Sequence, residues 1–209
     1  MKRITLEDIT ALDKVSRLNL INGITGFKPA NLIGTRDEKG QENLAIFSSV
    51  VHLGSDPALI GMVSRPMIGY RHTIHNIEKM RYYTINQVNE DIYIKAHFTS
   101  VEFPYEVSEF EQCSLNSVYK DGFRAPYVSE SKLQIGLELV EMLPIQANGT
   151  ILIVGKVLDL HISDRMIDGE YNIDLEEAGA IAISGVDTYY KAAKLGRLPY
   201  ARLTNIPNF

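Results

Sequence analysis

Residues 31–80 read NLIGTRDEKGQENLAIFSSVVHLGSDPALIGMVSRPMIGYRHTIHNIEKM, and the punctuation in this stretch decides the fold. Three apolar runs lie in it or at its edge: Ala30 to Thr35, Leu44 to Val51 and Ala58 to Val63. Asp37 to Gly40 and Gly54 to Pro57 separate them, and both interruptions are of the kind that ends strands. Asp37-Glu38-Lys39-Gly40 predicts a hairpin pairing the first two runs, because Gly40 can take the positive φ of a tight loop. After the third run the chain turns basic. Ser64, Arg65, Arg71, His72, Thr73, Lys79 and Arg81 follow, and Glu78 is the only carboxylate between Ser64 and Arg81. Thr73 reads as the N-cap of a short helix in which Ile74, Ile77 and Met80 recur at helical spacing. Free N–H groups at such a start, with Arg65 or Arg71 beside them, suit a phosphate. Ser48, Ser49 and Ser64 add hydroxyls near neighbouring strand ends. A solvated charged helix after a hairpin fits the same residues.

Outside this stretch the chain reads mostly as β. Tyr82 to Val88 alternates and is rich in aromatic and β-branched residues, so a strand is expected. Leu133 to Ile145 and Thr150 to Ile162 flank Gln146-Ala147-Asn148-Gly149, and Asn-Gly between apolar runs predicts a hairpin. Gly136 and Gly155 fall inside these long strands and suggest bulges or bends such as a closing barrel needs. Ile181 to Ser184 gives a last short strand. Helical signals are fewer. Thr5 with Asp8 opens a short helix striped by Leu6, Ile9 and Leu12, and Ser108 with Glu111 makes a capping-box pattern running to about Leu115. Leu18 to Ile24 and Asp91 to Val101 fit more than one class. Gly122 to Ser131 reads as a turn plus an edge-like strand, since Pro126 lacks a donor. Thr188 to Leu203 is basic and tyrosine-rich. About seven or eight strands without strand-helix alternation predict a mainly β chain, an antiparallel barrel with peripheral helices. One domain over 1–209 is expected, with 1–25 as a helical extension.

Composition narrows the function. Lys plus Arg number 21 against 26 Asp plus Glu, a net charge of −5. A general nucleic-acid binder wants a basic face, so that class is disfavoured while small anions are not. Cys113 stands alone, which rules out an intrachain disulfide or a CxxC site. MKRITLEDIT lacks a signal-peptide core and no apolar run reaches the length of a membrane span, so a cytoplasmic protein without membrane association is expected. Neither GxGxxG nor a P-loop pattern occurs. His72 and His75 lie three apart without Asp, Glu or Cys arranged around them, so no metal site is expected. His97 followed by Ser100 has no GxSxG elbow to make a hydrolase of it.

The order and spacing of LIGTRDEKGQENLAIFSS (32–49), SDPALIGMVS (55–64), RHTIHNI (71–77) and YYTINQV (82–88) resemble the flavin-reductase-like family of FMN-binding split barrels. AHFTS (96–100), SEFE (108–111) and GRLPYARL (196–203) are similar to its flavoredoxin-like branch. The resemblance implies a Greek-key split barrel and a homodimer with FMN near its interface, exchanging hydride with NADH or NADPH and otherwise meeting small-molecule substrates. Matched residue by residue, Thr35 closes the first strand, and Asn43, Ala45, Phe47, Ser48 and Ser49 stand where the second runs along the flavin. Ser64 and Arg65 follow the third strand, and Arg71, His72 and Thr73 occupy the helix start on the phosphate side. Here Arg-His-Thr replaces Lys-Asp-Thr, which keeps the cation and the threonine and removes a carboxylate.

By the same resemblance, His97 and Ser100 are candidates for the substrate side, with Tyr189, Tyr190, Arg197 and Tyr200 closing it. Asn148-Gly149-Thr150 stands where members that feed two-component monooxygenases often carry Gly-Asp-His. Hydride transfer asks little of the protein beyond stacking, hydrogen bonds to ring heteroatoms and control of water. The expectation is an NAD(P)H-dependent flavin reductase. The alternative is an FMN-holding electron carrier reduced by a protein partner, and a nicotinamide subsite would separate the two.

Overall fold

The computed structural model describes residues 1–66 and 71–207. Two helices open the chain, α1 (Leu6–Ala11) and α2 (Lys14–Gly23). The expected capping box is made: Thr5 Oγ1 accepts from the Asp8 N–H, and Asp8 Oδ2 accepts from the Thr5 N–H at 2.8 Å. Asp13 caps α2 through the N–H groups of Val15 and Ser16, so the ambiguous Leu18 to Ile24 is helix. Neither helix contains a buried residue, and Leu6 of the expected stripe is 78% exposed.

The strands and remaining helices follow as β1 (Lys28–Pro29), β2 (Asn31–Arg36), β3 (Glu42–Phe47), β4 (Val50–Ser55), β5 (Ala58–Ser64), α3 (His72–Met80) and β6 (Tyr82–Gln87). Next come α4 (Tyr93–Phe98), α5 (Glu109–Gln112), β7 (Ser117–Val118), β8 (Tyr127–Val128), β9 (Leu133–Ile145), β10 (Thr150–Ile162), β11 (Ile181–Ser184) and β12 (Thr188–Lys191). Seven strands form one sheet in the order β3-β2-β6-β9-β10-β5-β4, every pairing antiparallel. The chain is mainly β and its sheet is an unclosed, split barrel. Among the described residues no helix is long and apolar enough to cross a membrane.

The run Leu44 to Val51, one strand by its apolarity, is two. β3 and β4 adjoin in sequence yet lie at opposite edges of the sheet, joined through Ser48 and Ser49. Ser49 makes the crossing. Its hydroxyl donates to the Val63 carbonyl at 2.7 Å and accepts from the Val63 N–H at 3.2 Å, offering β5 a partner in place of backbone. Hydropathy cannot register such a break.

The glycines in β9 and β10 mark close approaches. The β9–β10 ladder shifts register between Val154 and Gly155 and again between Val157 and Asp159. A Cβ on Gly155 would overlap the Tyr83 hydroxyl, and one on Gly136 would overlap that of Tyr127. Packing explains the rest of the sheet. Ile33, Met62, Ile74, Ile77, Tyr83, Leu137 and Ile153 form one core, while Leu32, Leu44, Val88, Ala96, Phe110 and Val128 belong to another. Leu32 and Ile33 fall in different cores because successive strand side chains point to opposite faces. Each such side chain, fully buried, contributes about 1.5–3 kcal/mol.

Two capping expectations are overturned. Arg71, not Thr73, precedes α3, and no side chain caps that helix, which places Thr73 inside its first turn. Ser108 does precede α5, but its hydroxyl bonds to nothing among the described residues. At Thr73 a tertiary partner competes for the hydroxyl, as the cleft shows. At its other end α3 stops on Arg81, which takes a left-handed φ of 69° and donates from Nη2 to the Leu139 carbonyl at 2.5 Å. The basic tail contributes β12, which pairs with β11.

Candidate functional site

A cleft of about 660 Å³ opens where the end of β3, the Ser48-Ser49 crossing, the end of β5 and the start of α3 converge, with residues 99–103 after α4 forming another wall. Its floor is set by a buried polar network. Asn43 Nδ2 donates to Thr73 Oγ1 at 2.9 Å and to Thr35 Oγ1 at 3.3 Å, and Asn76 Nδ2 donates to Thr35 Oγ1 at 3.2 Å. All four side chains are buried. Thr73 is thus drawn inward by Asn43 and cannot cap its own helix. The network ties α3 to β2 and β3, and so fixes where the helix start points.

Arg65, Arg71 and His72 line the cleft beside that start, with Ser48 and Ser64. Arg71 Nε is buried without a hydrogen-bond partner among the described residues. An orphaned guanidinium N–H at the first turn of a nine-residue helix is matched to an anion, since free backbone donors and the helix dipole act on the same spot. Burial holds the His72 imidazole below its ordinary pKa, with Glu106 opposing and His75 adding to that shift. The Ser64 hydroxyl donates to the Arg65 carbonyl at 3.0 Å, and Ser49 is committed to Val63.

Glu109 occupies another wall of the cleft and was absent from the candidates read from sequence. Its side chain is 7% exposed, and Oε2 accepts from the Leu44 N–H at 2.9 Å on the free edge of β3. Burial raises its carboxyl pKa, and no cation pairs with it among the described residues. The only signal in sequence was the acidic pair in SEFE, which reads equally well as a helix start. Thr150, Thr99 and Phe103 also reach the cleft, brought there by the β9–β10 turn and the segment after α4.

Of the residues matched from sequence, Asn43, Ala45, Phe47, Ser48, Ser49, Ser64, Arg65, Arg71, His72, Thr73 and Ser100 all line this cleft. Six others are elsewhere, among them Tyr190, whose ring meets that of Phe27 at 4.7 Å, and Tyr200, which is exposed. Thr35 lies in the network below it, because β2 is covered by β3 and α3. His97 and Tyr189 meet each other, Nδ1 to the hydroxyl at 3.0 Å, in another hollow that shares no lining residue with the cleft. Arg197 pairs with Glu170 at 2.8 Å and Asp168 at 3.7 Å, held by the acidic segment before β11.

The profile of the flavin reductase like domain matches residues 27–174. A candidate flavin reductase with a split barrel domain from Shewanella frigidimarina NCIMB 400 is 44% identical, with a TM-score of 0.93 over 96% of this chain and 100% of that one. Nitrilotriacetate monooxygenase component B from Bacillus cereus shares the fold at TM-score 0.83 and 19% identity, covering 95% and 98% of the two chains. Flavoredoxin of Desulfovibrio vulgaris (Miyazaki F) does so at 0.71 and 18%, covering 86% and 92%. The last two likenesses concern fold alone. The profile match across the barrel and the 44% identity along nearly the whole chain show that this protein belongs to the flavin reductase like family.

Proposed function

We propose that the cleft holds FMN and that the protein passes hydride from NADH or NADPH through it to free flavin or another small acceptor. Flavin-linked oxidoreduction comes with the family; the choice of FMN and of a nicotinamide donor is this reading's own step. The observation that carries it is Arg71 Nε, a buried donor without a partner among the described residues at the start of α3, where a terminal phosphate would complete it. Arg65 would add charge and Ser48 a hydroxyl to the same group. Asn43 and Thr73 would hold the helix start in place from below.

The bound flavin would supply the hydride chemistry. The chain's own work is then to bind, orient and exclude water, which fits a cleft walled by Phe47, Val101 and Phe103 and floored by a hydrogen-bonded polar network. A homodimer in the cytoplasm is part of the proposal. Support for a second copy comes from α1, α2 and the residues just after them, where Leu6, Val15, Ile24 and Phe27 remain at least 65% exposed. Helices of six and ten residues are marginal in water without a packed face.

An electron carrier reduced by a protein partner is the second reading, favoured by Thr150, which puts a threonine on the cleft just after the β9–β10 turn. The deciding experiment is an anaerobic visible spectrum of FMN-loaded protein before and after each nicotinamide. Bleaching by either donor supports the reductase; a spectrum unmoved by both supports the carrier. Failure to take up FMN at all would sink both.

A further inference from the structure

The hollow that holds His97 and Tyr189 has a chemistry of its own. It measures about 570 Å³ and is walled by Tyr93, His97, Phe98 and Tyr189, with Asp187 at its rim. The Tyr93 and Tyr189 ring centroids lie 5.5 Å apart at an interplanar angle of 55°, and His97 meets Tyr189 edge-on at 5.8 Å. The 3.0 Å bond from His97 Nδ1 to the Tyr189 hydroxyl ties two walls together, across the gap between α4 and β12. Despite this order the walls are not packed shut: Tyr93 is 37% and Phe98 54% exposed.

Asp187 supplies the sign. Among the described residues it makes no ion pair, although Lys191, Lys194 and Arg197 in the following segment each find a carboxylate. Its charge is felt within the hollow, where it adds to burial in pushing the Tyr189 hydroxyl up to about 12. Aromatic rings attract cations, and a lone carboxylate beside them excludes anions. One carboxylate is too few for a hard metal ion, which wants several oxygen ligands. A weakly hydrated organic cation has no such need.

We propose that this hollow is a binding site for a small quaternary ammonium cation, seated against the rings of Tyr93, Phe98 and Tyr189 that line it and neutralised by the Asp187 carboxylate. The hollow shares no lining residue with the cleft, and the proposal does not rest on what the cleft binds. It gives His97 and Tyr189 a shared role as a preformed corner of an aromatic cage.

The test uses choline and its uncharged isostere 3,3-dimethyl-1-butanol, titrated into the full-length protein at constant ionic strength while tyrosine and histidine ring resonances are followed by NMR. Choline is expected to move the Tyr93, His97 and Tyr189 signals saturably and at about tenfold lower concentration than the alcohol. Asp187→Asn should abolish that preference while the remaining resonances stay in place, and Tyr93→Ala should weaken choline without restoring the alcohol. Equal midpoints for the two probes would mean that shape alone is recognised and would overturn the proposal. So would the absence of a saturable response, whether the hollow is simply inert or covered by another chain, and so would an Asp187→Asn variant that keeps the preference.

Discussion

Replacing Arg71 with alanine isolates the group on which the cleft's assignment turns. Arg71 Nε is desolvated and without a hydrogen-bond partner among the described residues, so the folded state already carries the cost of an unmet donor. Truncation removes that donor, and apo stability should therefore change by no more than about 1 kcal/mol. Binding is different. A charge-assisted hydrogen bond to phosphate contributes about 1.5–3 kcal/mol, and relief of the orphaned donor on binding pushes the value toward the upper part of that range. At about 2–3 kcal/mol the FMN dissociation constant should rise about 30- to 150-fold. Riboflavin, which lacks the phosphate, provides the control, and its affinity should move by less than about threefold. Quenching of flavin fluorescence in parallel titrations measures both. An equal loss for FMN and riboflavin would refute the reasoning, since Arg71 would then be shaping the cleft rather than meeting the phosphate. An unchanged FMN affinity would remove the anion from the start of α3 altogether.

Gly155→Ala should destabilise the barrel by about 1–3 kcal/mol in urea unfolding, because the new methyl meets the buried Tyr83 hydroxyl. Tyr83→Phe alone should be neutral or stabilising by about 1 kcal/mol, since that hydroxyl has no partner among the described residues. The double variant should recover part of the loss, since the Tyr83 ring carbon and Leu137 still crowd the new methyl, and strict additivity would show that the two positions do not meet. Glu109 gives a pH signature. Its folded-state pKa is raised above the ordinary 4.5, so above that pH the unfolded chain releases a proton that the folded chain retains. Stability then falls as pH climbs through the window between the two values. Glu109→Gln, which can still accept from the Leu44 N–H, should gain stability relative to the native protein across that window. Parallel stability curves for the two proteins between pH 4 and pH 8 would contradict it.

The strands were legible in the sequence wherever one residue's chemistry marks an edge. Asp37 to Gly40 and Asn148-Gly149 announced their hairpins because few residues tolerate the backbone those turns require, and Gly40 and Gly149 do adopt positive φ. Gly136 and Gly155 announced the irregularities of the β9–β10 ladder, though not the tyrosines that approach them. The cleft was legible only as an ordered set of short segments. Arg71, Asn43 and Ser64 were marked as candidates, but their shared cleft exists only once β3, β5 and α3 bring them together. Glu109 was hidden because its role depends on Leu44, 65 positions earlier, which offers it an edge N–H.

By itself, the sequence determined the class: antiparallel strands with few helices, a local excess of cations after the third run, and no cysteine or nucleotide-loop chemistry. These follow from turn residues, period-two alternation and charge, all of which act over a few neighbouring positions. Only the tertiary structure decided that Leu44 to Val51 is cut in two at Ser49, that Thr73 turns inward to Asn43 instead of capping α3, and that His97 and Tyr189 leave the cleft for a hollow of their own. Each is a hydrogen bond between residues 14 to 92 positions apart. A side chain with both a local and a distant partner takes whichever the packed sheet brings within reach, and no window of sequence contains that choice.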